Sequence, residues 1–113
     1  MKTFFQKWLT ASGDGASDEM LMDHAKWLDT HGFKRLVLDA QVMTRTNCTL
    51  TIQTADAQCG PWTTAATVNA TGVVYIQAEE NATNKLQRYV RWKVAATNTS
   101  WEICFWVAVE LKE

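Results

Sequence analysis

The closing stretch of the chain, WEICFWVAVELKE, constrains the fold more than any other. Trp101, Ile103, Phe105, Val107, Val109 and Leu111 fall on one side. Glu102, Cys104, Trp106, Ala108, Glu110 and Lys112 fall on the other. Successive side chains of a strand point to opposite faces, whereas a helix would scatter this pattern around its circumference. The first face is wholly apolar and needs a core. The second is mixed, with Trp106 in its middle.

The same period recurs upstream. In RLVLDAQVMT, Leu36, Leu38, Ala40 and Val42 alternate with Val37, Asp39, Gln41 and Met43. In CTLTIQT, Cys48, Leu50, Ile52 and Thr54 alternate with Thr49, Thr51 and Gln53. The short polar TRTN between them predicts an antiparallel hairpin. ADAQCGP is a turn punctuated by Gly60-Pro61, followed by strands at WTTAATV and VVYIQ, with NATG between them and AEENATN after. LQRYVRWKV gives one more: Val90, Trp92 and Val94 face inward, and Tyr89, Arg91 and Lys93 face outward.

The N-terminal third is less regular. TFFQKWLTA fits a strand or a short helix, and SGDGASD is a loop. MLMDHAKWL is read as a strand leading to a DTHG turn, with a helix begun at Asp18-Glu19 as the alternative. About seven to eight strands with no alternating helices predict an all-β fold, a single antiparallel β-sandwich of jelly-roll-like type. The expected division is an extended N-terminal arm and loop over residues 1–19 and a sandwich over residues 20–113.

At 113 residues, 47% hydrophobic and 20% charged, the chain is one ordered domain with a real core. Its formal net charge of -1 disfavours a nucleic-acid binder, which carries a basic excess, and a cationic membrane-surface protein. No segment approaches the run of about 20 apolar residues that spans a bilayer. Gln6 and Lys7 interrupt the N-terminal apolar patch before a secretory core forms, so no signal peptide is expected. Cys48, Cys59 and Cys104 are odd in number and lack metal-ligand spacing; free thiols are expected, with a single disulfide as the alternative. Sequons at Asn47, Asn69, Asn81 and Asn98 mark loops.

Catalytic signals are weak. His24 and His31 have no recognisable ligand spacing. Glu79-Glu80 lies in a polar loop, and no nucleophile sits in a motif that would activate it. Asp14 and Asp18 imitate a calcium loop without its spacing or terminal Glu. No enzyme activity, cofactor or metal is expected. Aromatics remain as recognition groups. Stacking on single-stranded nucleic acid by Arg88, Tyr89, Arg91, Trp92 and Lys93 is disfavoured by the alternation and the net charge. Trp62, Tyr89 and Trp106 are candidates for a carbohydrate platform.

The order GFKRLVLDAQV, LTIQTADAQCGPWTTAATV, LQRYVRWKVAATNTSWEICFWVAVELK resembles discoidin-like jelly-roll modules. It also resembles small β-sandwich proteins of bacteriophage structural gene clusters, over Gly32 to Lys112. The first resemblance implies glycan or lipid binding through loops. The second implies a virion component, most simply a capsid decoration protein that stabilises the assembled shell. A lone sandwich without signal or paired cysteines fits the second better. That resemblance implies a major capsid or other virion protein as partner, a homo-oligomer, assembly in the bacterial host cytoplasm, and no direct contact with membrane or nucleic acid. Expected contact residues are Phe4, Phe5, Trp8 and Leu9 of the arm, with Trp106, Arg91 and Lys93. On this reading, removing residues 1–11 leaves a folded sandwich that no longer binds its particle.

Overall fold

Alternating apolar residues become strands throughout the chain because each strand has an opposing sheet to bury them against. The computed structural model describes residues 2–77 and 86–113. Glu79, Glu80 and the sequon at Asn81 lie outside the described residues. The strands are β1 (Lys2–Gly13), β2 (Glu19–Leu21), β3 (Leu28–Asp29), β4 (Arg35–Thr46), β5 (Cys48–Ala55), β6 (Thr63–Val68), β7 (Gly72–Gln77), β8 (Tyr89–Ala96) and β9 (Trp101–Lys112). They form two antiparallel sheets: four strands in the order β1-β9-β4-β7, and five built on β2-β8-β5-β6, with β3 also pairing with β8. The predicted β-sandwich is therefore the observed fold.

With β2 and β3 taken as two halves of one interrupted strand along β8, among the described strands only consecutive β5 and β6 lie in the same sheet, as a hairpin. Every other connection passes to the opposite sheet, which is a jelly-roll-like winding. This corrects the hairpin expected of β4 and β5. The two strands lie in different sheets, and β4 pairs instead with β9 and β7. The corner between them turns on Asn47, whose φ of 56° lies in the left-handed region that Asn tolerates better than most residues. Its side-chain amide donates to the carbonyls of Thr99 and Ser100, tying this corner to the β8–β9 connection.

The N-terminal segment also differs from the expected arm. Residues 2–13 form the edge strand β1, hydrogen-bonded along β9 from Lys2↔Glu110 to Gly13↔Trp101. Residues 20–28, expected as one strand, are broken by a 3-10 turn at His24–Lys26, whose start is capped by Asp23 Oδ1 accepting from the Ala25 amide. In SGDGASD, Asp18 accepts from the Gly15 amide and from the Trp101 indole at 2.9 Å, so its carboxylate ties the loop to β9.

Between the sheets lie Leu36 and Leu38 of β4, Leu50 and Ile52 of β5, Val90, Trp92 and Val94 of β8, and Ile103, Phe105, Val107 and Val109 of β9. Burial of a large apolar side chain contributes about 1.5–3 kcal/mol relative to exposure, so this layer supplies the main drive to fold. The buried Thr54 hydroxyl accepts from the Gln87 amide and so carries no unpaired penalty.

Candidate functional site

With the alternating residues consumed by the core, the two outward faces carry what remains. On the four-stranded sheet, β1 and β9 bring Phe4, Trp8 and Trp106 together. The Trp106 ring meets Phe4 edge to face at 5.7 Å and Trp8 at 6.0 Å. Such pairs contribute about 0.5–1.5 kcal/mol beyond their burial, so they order the cluster even at the surface. Phe4 and Trp8 remain 57% and 54% exposed. A shallow hollow between β1 and β9 is lined by Thr3, Phe4, Trp106 and Ala108. Across the sheet, Val73 and Tyr75 of the edge strand β7 are also exposed. The register runs Phe4↔Ala108↔Asp39↔Val73, so Asp39 divides an otherwise apolar row.

Not all of the predicted contact residues reach this face. Phe5 is 6% exposed and belongs to the core, and Leu9 packs against that core. The register shifts of β1 between Phe4 and Gln6 and between Gln6 and Leu9 explain the sorting. In this irregular stretch Gln6 accepts the Trp92 indole proton at 3.0 Å, while Lys7 stays exposed. Bulges re-aim side chains in this way and also blunt an edge strand against unwanted pairing.

Arg91 and Lys93 lie on the opposite sheet's outward face. Lys93 is engaged with Glu19 at 3.2 Å. Arg91 donates from Nε to Gln53 Oε1 at 2.9 Å, and its guanidinium stacks 4.0 Å from the Trp62 ring centre and 5.2 Å from that of Trp27. Trp27 and Trp62 meet edge to face at 4.9 Å, and His24 flanks Trp27 at 4.3 Å. Burial pushes the Arg91 guanidinium below its ordinary value. At the start of the strand Arg88 grips Asp29 through two nitrogens at 3.2 Å and lies 5.1 Å from the Tyr89 ring. The Arg88 hydrogen bond, then the His31 amide, hold the Asp29 carboxyl below its usual range. The three platform candidates are thus divided: Trp62 and Tyr89 on one sheet, Trp106 on the other. The Trp27–Trp62–Arg91 cluster escaped the sequence because Trp27 lies in the irregular N-terminal segment, far from its partners in chain order.

The cysteines are free: Cys48 buried, Cys59 exposed, Cys104 intermediate. Among the described residues no group of three or more His, Cys, Asp and Glu is placed to hold a metal, and no helix is long and apolar enough to cross a membrane.

No protein-family model matches the chain, and no curated protein matches it. Among solved structures it is similar to the crystal structure of the PBSX exported protein XepA, with a TM-score of 0.57 and 18% identity over 100% of this chain and 38% of that one. The chain thus spans well under half of XepA. The crystal structure of PirA is matched at a TM-score of 0.42 and 13% identity over 92% of each chain. At this identity the likeness to XepA establishes a shared fold, a β-sandwich that a longer exported protein also contains.

Proposed function

We propose that the chain is a non-enzymatic structural component of a phage-type particle, docking on partner proteins through the outward face of its four-stranded sheet; decoration of an assembled capsid is the specific role. The observation that carries this reading is the Phe4–Trp8–Trp106 cluster, which leaves large aromatics in the water on a rigid sheet. Aromatic anchors presented on a pre-organised surface contribute most of the energy of many protein interfaces, and an exposed apolar patch marks such a site. The phage-related exported neighbour XepA supports the setting at the level of fold. Copies joined in a homo-oligomer on a repeating lattice need only modest affinity each.

The test is density-gradient fractionation of the native source with mass spectrometry across the fractions. Co-migration with DNA-filled particles at high copy number supports a virion component. Its ratio to the major shell protein separates decoration from a tail role. A chain confined to soluble fractions overturns the reading.

A further inference from the structure

We propose that the Arg91 cluster, on the sheet opposite the proposed docking face, is a binding site for a saccharide bearing a carboxylate, of the uronic acid class. β8 and its lead-in carry three cations on this side, and two are neutralised within the chain: Arg88 by Asp29 and Lys93 by Glu19. Arg91 has no carboxylate partner among the described residues. Among the described residues its only hydrogen bond is from Nε to Gln53, and none of them accepts from its terminal nitrogens.

The fork is also held still. Trp62 lies under the guanidinium, Trp27 beside it, and Gln53 fixes its Nε edge. A pre-organised guanidinium matches a carboxylate through two parallel hydrogen bonds and loses little entropy on binding. The surroundings supply further polar groups. Among the described residues the Trp62 indole nitrogen has no acceptor, whereas the Trp27 indole donates to the Met22 carbonyl at 3.0 Å. Thr64 lies opposite Gln53 on the neighbouring strand.

The balance of charge selects the ligand. One unpaired cation matches one carboxylate, and burial disfavours the guanidinium with no acid to offset it. An acidic peptide is read by several cations, and here the other two are occupied. Trp62 and Trp27 are both only half-buried and so leave apolar indole surface beside the guanidinium, and aromatic surface with a few convergent polar groups is the usual make-up of a small-ligand site.

The test titrates the full chain with oligogalacturonate and with oligoglucuronate, followed by calorimetry and Trp fluorescence. The comparison probes are the carboxyl-reduced oligosaccharides and poly-glutamate. The expected result is binding of at least one uronate, with its reduced form weaker by at least about tenfold, the loss of one charged hydrogen-bonded pair. Arg91→Lys keeps the charge, loses the fork and weakens binding similarly while its unfolding midpoint shows it folded. A Phe4→Ser/Trp8→Ser variant of the other sheet binds as the parent does, so this test stands apart from the docking proposal. The inference is overturned by no uronate binding at concentrations on the order of millimolar, by equal binding of the reduced forms, by indifference to Arg91→Lys, or by poly-glutamate binding as tightly as the uronates.

Discussion

The Trp92 indole is held at both ends. Its ring stands against Phe105 at 5.2 Å with planes 84° apart, and its N–H reaches Gln6. Alternation in YVRWKV placed Trp92 inside, but its partner was hidden, because a polar residue of β1 turns inward only at a bulge. Trp92→Phe removes the donor and some volume, so we expect a loss of about 1–3 kcal/mol in urea unfolding. An unchanged midpoint would show that the Gln6 contact contributes nothing. Cys48 is a second case. Its thiol is buried, contacts the Glu102 carbonyl at 3.4 Å, and is pushed above its ordinary pKa chiefly by desolvation. An acid whose folded pKa is raised keeps its proton in the native chain when the unfolded chain has lost it. Its contribution is therefore full below the ordinary thiol pKa and declines as pH rises from there through the raised value. Under reducing conditions, the unfolding free energy should fall over that alkaline window, and Cys48→Ala should flatten that part of the slope. Exposed Cys59 should react first with a thiol reagent, and Cys48 only on unfolding.

At the scale of the element, β1 was the hardest to read. Lys7 in the middle of Phe5, Leu9 and Ala11 spoils the apolar face, so strict alternation gives a poor strand and the segment resembles an arm. The register shifts between Phe4 and Leu9 remove the conflict by keeping Lys7 outside while Phe5 stays in the core. The consequence reverses the expectation for a truncated chain. Deleting residues 1–11 removes the buried Phe5, about 1.5–3 kcal/mol by itself, and bares most of the β9 edge to which β1 pairs. Circular dichroism and size-exclusion chromatography should show a destabilised or aggregating product, as an unprotected long edge strand predicts. A monomeric truncated chain with the parent unfolding midpoint would mean that β1 adds nothing to the fold.

For the whole molecule, period two assigns each residue a side but does not say which sheet a strand joins. Leu36, Leu38, Leu50 and Ile52 face inward whether β4 and β5 pair with each other or lie across the core from one another. The difference rests on a corner at Asn47 and on contacts with β9, distant in sequence. The candidate surface was legible as residue types, since Phe4, Trp8 and Trp106 stood out, but their meeting depends on β1 lying along β9. That meeting allows docking to be separated from folding. Phe4→Ser/Trp8→Ser removes two side chains that are more than half exposed. Surface changes cost little, and the lost ring pairs add about 0.5–1.5 kcal/mol each, so the variant should stay folded with a modestly lower midpoint. If the aromatic face is the docking surface, this variant should lose particle association in a co-sedimentation assay while Arg91→Lys, on the other sheet, keeps it. Full co-sedimentation of the folded variant would place the contact elsewhere on the sandwich.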